Sequence, residues 1–270
     1  SIYDNPYLDP ADVAILEARY PLGSLARRIR LNGELIPGIS GALVYGNFSR
    51  SIHVRPLPAM SPYRPLIWTW DHNVSPYCTS VWQYEPGLFK CYDEVIVEEG
   101  GTDDVIDEFQ RRYPSWPHEV WIYGDAMGNS QGHERRGGRS TYTVIMERMQ
   151  AYRTRMKVPE QNPSVSARVD AVNMALRDSF GASHVVIHTT CRAMATDFER
   201  TLADPRGGIK KTYNRADPYS RITHLTDGAG YLITKEAPVK PQRTNQAPKA
   251  APSPSYGAKM RQVGYGGGRS

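Results

Sequence analysis

From Pro65 onward, short apolar runs of strand length alternate with stretches of helical period, and that alternation is the pattern of an α/β domain. Leu66 to Trp70 is an apolar run ending in Asp71. Tyr77 to Tyr84 and Leu88 to Val97 are β-rich runs separated by Glu85-Pro86-Gly87, a hairpin signal. Thr102 to Tyr113 reads as an amphipathic helix through Val105, Ile106 and Phe109, and Glu119 to Tyr123 as a strand ending at Gly124-Asp125. Strand, helix, strand implies a parallel pairing.

Beyond Asp125 comes a glycine-rich polar loop, Gly128 to Arg139. Helices are expected at about Thr141 to Arg153 and Ser166 to Asp178, a strand at Val185 to Ile187, and a helix at Met194 to Leu202. Ile209 to Tyr213 reads as a hairpin arm. The last helix should start near Arg221 and carry His224, Asp227 and Tyr231, weakened by Gly228 and Gly230. Ahead of the domain, Val13 to Tyr20 has helical period, with Asp9 placed to cap it and Pro10 at its first position.

Charge is informative only once it is apportioned. The net charge is +5, but residues 237–270 carry Lys240, Arg243, Lys249, Lys259, Arg261 and Arg269 and no acids, so the body stands at −1. The tail, rich in Pro, Gly, Ser, Lys and Gln, reads as flexible and basic. Any nucleic-acid contact by the body must therefore rest on local patches. No apolar run reaches the roughly 18 to 20 residues a membrane helix needs, and no signal peptide is visible, so neither membrane nor export is expected. Cys78, Cys91 and Cys191 have no metal-binding spacing and read as reduced, buried thiols.

Asp71 and Asp125 each end an apolar strand. If those strands are neighbours, the two carboxylates meet at one sheet edge, and Asp227 on a late helix can pack across it. Three hard oxygen donors suit Mg²⁺ or Mn²⁺, one ion or two. Asp ahead of a loop is also a common turn-former, and the residue pattern alone favours that reading.

Several ordered segments add to the pattern. Tyr123-Gly124-Asp125-Ala126-Met127-Gly128-Asn129, followed by Gly137 and Ser140-Thr141-Tyr142, resembles the second acidic motif of bacteriophage large terminase subunits. Trp68-Thr69-Trp70-Asp71 is similar to that family's first acidic strand. Asn162-Pro163 with Arg168-Val169-Asp170-Ala171-Val172-Asn173 is similar to its central helix, and His224-Leu225-Thr226-Asp227-Gly228-Ala229-Gly230-Tyr231 to its terminal one. Asn5-Pro6-Tyr7-Leu8 resembles the segment leaving the family's ATPase domain. The resemblance spans roughly residues 3 to 235.

It implies an RNase H-like mixed β-sheet flanked by helices. It also implies a metal-dependent endonuclease that cuts concatemeric double-stranded phage DNA, with Asp71, Asp125 and Asp227 as catalytic ligands of two Mg²⁺ or Mn²⁺ ions. The expected divisions are 1–60, a segment following the ATPase domain; 61–236, the nuclease; and 237–270, the tail. No GxxxxGK followed by Ser or Thr occurs, so ATPase chemistry is not expected of this chain. Expected partners are double-stranded DNA, the ATPase domain of a full-length protein, the portal protein and the small terminase subunit. The expected location is the host cytoplasm during phage assembly rather than the virion.

Other residues are weighed against blander roles. His224 shares a helical face with Asp227 and is an auxiliary candidate, although a capping or surface histidine fits equally. His72 should point away from Asp71 into a loop role, and His184 and His188 read as structural. Arg135, Arg136 and Arg139, with His133, form the first candidate DNA-contact loop; Lys210 and Lys211, with Arg206 and Arg215, form a second. Glu98, Glu99, Asp103 and Asp104 read as capping acids. Asp197 and Glu199 read as solvent-facing. Competing readings are a junction resolvase or transposase of the same fold, and a non-catalytic module docking DNA or a portal. A two-carboxylate glycosidase fits the three acids less well, and a serine hydrolase lacks its GxSxG elbow.

Overall fold

The computed structural model describes residues 1–20, 25–34, 42–72, 76–129, 139–178, 180–205, 208–212 and 214–237. Three helices lead in: α1 (Pro10–Arg19), α2 (Leu25–Arg30) and α3 (Arg50–His53). As expected, Pro10 opens α1, and the Asp9 carboxylate accepts the Ala11 amide. Then follow β1 (Leu66–Asp71), β2 (Tyr77–Glu85), β3 (Leu88–Val97), α4 (Thr102–Arg112), β4 (Glu119–Gly124), α5 (Thr141–Arg148), β5 (Arg153–Met156), α6 (Val165–Leu176), β6 (Val185–Ile187), α7 (Arg192–Arg200) and α8 (His224–Glu236).

The six strands form one mixed sheet in the order β5-β4-β1-β2-β3-β6. The β1-β2-β3 meander is antiparallel, and β2 joins β3 through the tight turn at Gly87, whose φ of 81° suits glycine. Helix α4 then carries the chain across to β4, which pairs in parallel with β1. Strands β5 and β6 add in parallel at the two edges. This is the RNase H-like α/β arrangement that the terminase resemblance implies.

Alternation along β1 decides which helix layer each residue meets. Leu66, Trp68 and Trp70 face one core with Val105, Ile106, Phe109 and Ile145 from α4 and α5. Ile67 faces the other, with Val172, Leu176, Phe198, Leu225 and Leu232 from α6, α7 and α8. Trp68 stacks on Phe109 with ring centroids 3.9 Å apart, and its indole N–H donates to Thr79 Oγ1 at 2.9 Å. Burying a Phe of this kind contributes about 1.5–3 kcal/mol. Tyr45 and Phe48, ahead of β1, also reach the second core, packing on Phe198.

Two expectations change. The helix expected to run to Arg153 stops at Arg148, and Arg153–Met156 is an edge strand. Pairing with β4 outweighs the local preference, and Arg153 and Arg155 point to solvent while Thr154 and Met156 turn inward. The arm expected over Ile209 to Tyr213 is short: Ile209 bridges Ala203 antiparallel, with the Lys210 amide donating to the Leu202 carbonyl and the Asp204 amide to the Gly208 carbonyl, and Tyr213 lies outside the described residues. Gly228 and Gly230, expected to weaken α8, both lie inside it. A Cβ at Gly228 would stand 3.1 Å from Thr69 Oγ1, so the missing side chain is what lets α8 lie against β1. No helix among the described residues is long and apolar enough to cross a membrane.

Candidate active site

The register of β1 and β4 places Trp70 beside Gly124, so Asp71 and Asp125 follow one another at the same end of two adjacent parallel strands. Period-two alternation carries Asp71 to the face of Ile67 and Thr69, which is the face α8 covers. Asp227 lies in the first turn of α8, where the helix dipole favours a carboxylate. Asp71 and Asp227 are buried, at 5% and 2% exposure, and Asp125 is half-buried.

Each carboxylate is held differently. Asp125 Oδ1 accepts the Met127 amide at 2.7 Å and the Asn162 side-chain amide at 2.6 Å, while Asn162 Oδ1 accepts the Ala126 amide at 2.8 Å. Asp125 Oδ2 has no donor among the described residues. Tyr142 of α5 donates its hydroxyl to the Asp125 carbonyl at 2.9 Å. Asp227 Oδ1 accepts from Arg168 Nη1 at 2.8 Å, and its Oδ2 from Lys211 Nζ at 2.6 Å.

His224 Nδ1 stands 3.3 Å from Asp71 Oδ2, and its Nε2 stands 2.8 Å from the Ser220 carbonyl. A carbonyl only accepts, so Nε2 bears a hydrogen. The approach of Nδ1 to a carboxylate oxygen then requires a second proton, on the ring or the carboxyl. The electrostatics run the same way. Burial pushes the Asp71 carboxyl above its usual range and the Asp227 charge adds to it, with His224 opposing. Burial would lower His224, but Asp71 outweighs it and the imidazole is held above its ordinary value.

Tyr231 lies one turn beyond Asp227 on α8. Burial raises its phenol and the Arg168 guanidinium opposes that, while the charges of Asp125, Asp71 and Asp227 each push it further up. The three aspartates therefore share one electrostatic neighbourhood. They do not form a closed cage: among the described residues, no three His, Cys, Asp or Glu side chains gather closely enough to enclose an ion.

The expected DNA-contact residues divide. His133, Arg135 and Arg136 lie outside the described residues, as does Arg206. Arg139 is exposed and pairs with Glu147 at 2.5 Å. Lys210 extends over the Tyr219 ring, 5.1 Å from its centroid, whereas its neighbour Lys211 turns to Asp227. His72 packs edge-on against Tyr142, and His184 bridges Asp178 and the Gly87 carbonyl, both in structural roles. Asp104 accepts the Gly101 amide in a capping role. Cys78, Cys91 and Cys191 are all buried free thiols.

Asp197 is not solvent-facing. It is 2% exposed on the buried side of α7, and its Oδ2 accepts the Leu225 amide at 3.0 Å. Thr223, at the start of α8, has a φ of 90° and makes no side-chain cap, so Asp197 satisfies the helix end from a neighbouring element. Glu199 does reach the surface, where it pairs with Arg50. The sequence assigns Asn162 and Arg168 no role of their own, and reads Asp197 as solvent-facing. The first two lie in the segment resembling the central helix, which was their only signal.

No protein-family model matches the sequence, and no curated protein matches it. Solved structures do. The P22 large terminase nuclease domain superposes with a TM-score of 0.52 at 13% identity, covering 73% of this chain and 94% of that one. The large terminase of a thermophilic bacteriophage does so with a TM-score of 0.50 at 13% identity over 87% of this chain. A second structure of that thermophilic-phage terminase, in complex with ATP-gamma-S, gives 0.52 at 14% identity. The chain spans about half, 54%, of the thermophilic-phage protein. At these identities the likeness establishes the fold, which is that of a phage large terminase nuclease domain.

Proposed function

We propose that this chain is a divalent-metal-dependent endonuclease that hydrolyses phosphodiester bonds of double-stranded DNA during phage genome packaging, with Asp71, Asp125 and Asp227 as metal ligands. The observation that supports the reading is that Asp71 and Asp125 close adjacent parallel strands, while Asp227 stands in the first turn of α8, the helix lying against β1. The donor set fits Mg²⁺ or Mn²⁺, because it is all carboxylate oxygen, and Asp227 Oδ2 already receives a cation, the Lys211 ammonium. Two such ions supply a nucleophilic water and offset charge on the leaving oxygen.

The chain's own residues orient the acids. Asn162 and the Met127 amide fix one oxygen of Asp125 and leave the other available. Arg168 fixes Asp227 from the core side, and His224 fixes Asp71 while its other nitrogen is anchored on Ser220. Such anchoring of ligands sets their direction before substrate arrives. Because this chain matches only about half of the thermophilic-phage terminase, the reading extends to an ATPase domain as partner within a longer chain. It extends also to the portal and small terminase subunit as packaging partners in the host cytoplasm.

Plasmid DNA with Mn²⁺ or Mg²⁺ tests this. Nicking and linearisation are expected, EDTA should stop them, and Asp125→Ala should abolish them. Robust cutting by that variant overturns the assignment, and a marked preference for four-way junctions over linear duplex favours a resolvase instead.

A further inference from the structure

Two cations contact Asp227, and they are unlike. Arg168 is buried to 10% exposure, rises from α6, and lies over the Tyr231 ring with its guanidinium 4.5 Å from the centroid. A planar guanidinium stacked on an aromatic ring is fixed in place. Lys211 is 37% exposed, lies outside every helix and strand, and holds Asp227 Oδ2 through a single hydrogen bond at the end of a flexible four-carbon stem.

We propose that Lys211 is an exchangeable counter-ion: its ammonium and a divalent cation compete for Oδ2 of Asp227, and the displaced lysine is transferred to the phosphate backbone of bound DNA. This rests on the metal-dependent reading above. A single carboxylate touched by two cations carries surplus positive charge, which opposes an approaching dication. Arg168 cannot leave without stranding a buried charge, whereas Lys211 can rotate its head into solvent. An ammonium freed there is a mobile point charge suited to non-bridging phosphate oxygens. Lys210 provides the internal contrast, since its ammonium sits over Tyr219 and not on an acid.

Mn²⁺ itself is the first probe, with free Mn²⁺ followed by its electron paramagnetic resonance signal during titration of the full chain. Lys211→Met should bind Mn²⁺ about tenfold more tightly than wild type, the equivalent of losing one competing contact. Lys210→Met, which removes the same charge one residue away, should change affinity by no more than about twofold. Equal tightening in both variants means general charge rather than competition, and overturns the proposal. Mn²⁺ binding untouched by Lys211→Met overturns it alone, while absence of Mn²⁺ binding in every variant overturns the metal-dependent reading with it.

Duplex DNA binding reads the transfer. With Ca²⁺, Lys211→Met should weaken binding roughly fivefold, and with EDTA it should change it by less than about twofold, because there the wild-type lysine is engaged by Asp227. The same loss in both conditions, or none in either, overturns the transfer. Lys211→Gln, polar and of similar length, serves the same titrations if the methionine variant does not fold.

Discussion

Arg168 Nη1 lies 2.8 Å from Asp227 Oδ1, with the two side chains 10% and 2% exposed, so a charged pair sits at the edge of an apolar core beneath the site. Removing Asp227 strands the buried guanidinium of Arg168, whereas removing Arg168 leaves Asp227 with Lys211. Asp227→Ala should destabilise the fold by about 3–5 kcal/mol in urea unfolding, and Arg168→Ala by less. The double variant Arg168→Met with Asp227→Asn should lose less than the two single losses combined; additivity within about 0.5 kcal/mol would show that the pair is not coupled.

Asn162 is exposed, yet it joins the Asp125 side chain to the backbone just after it through two short hydrogen bonds. Asn162→Ala should lower Mn²⁺-dependent plasmid cleavage by about 10- to 100-fold, as loss of a ligand's orienting partner does, with little change in melting temperature. Wild-type rates in the variant would remove Asn162 from the site.

Asp197 gives the stability of the fold a pH dependence. Burial raises its carboxyl to about 8, against the opposing pull of the Leu225 and Thr226 amides. Its folded value exceeds the unfolded one, so the folded chain retains a proton that the unfolded chain has lost. The stability this contributes is whole below about pH 4 and is lost as pH rises towards 8, with a slope no steeper than about 1.4 kcal/mol per unit. Asp197→Asn keeps an acceptor for Leu225 and removes the titration, so its melting temperature should gain on wild type between pH 5 and 8. Parallel curves would show that Asp197 does not titrate there.

Gly124 is the residue that lets β4 close on β1. A Cβ there would stand 2.6 Å from the Trp70 carbonyl and 2.5 Å from the Tyr142 hydroxyl, and the first of these is backbone that cannot step aside. Gly124→Ala should cost about 1–3 kcal/mol in thermal or urea unfolding. Because Asp125 follows directly, Mn²⁺ affinity should fall as well. A variant of unchanged stability would mean that the strands tolerate a wider spacing.

Strands β1 to β4 and helix α4 were legible because their signals are local: apolar runs, a Glu85-Pro86-Gly87 turn and a 3.6-residue period. Strand β5 was not, since Arg153-Thr154-Arg155-Met156 becomes a strand only by pairing with β4, and nothing within four residues announces an edge. Asp71 and Asp125 could be found as acids closing apolar strands. Asp197 could not, because its helix shows one half-buried and one fully buried acid two positions apart and only α8, placed by tertiary contacts, tells them apart. Lys211 reads as a phosphate contact from its charge, and its hold on Asp227 depends on a loop whose course the sequence does not encode locally.

The 54 positions between Asp71 and Asp125, and the hundred or so from there to Asp227, give the site a high contact order. A ribosome releasing this chain exposes β1 and β4 long before α8, and until α8 docks on Thr69 only two of the three acids exist together. Growing or truncated chains are thus left without the full set of acids, and on the nuclease reading proposed above cutting would await the completed fold.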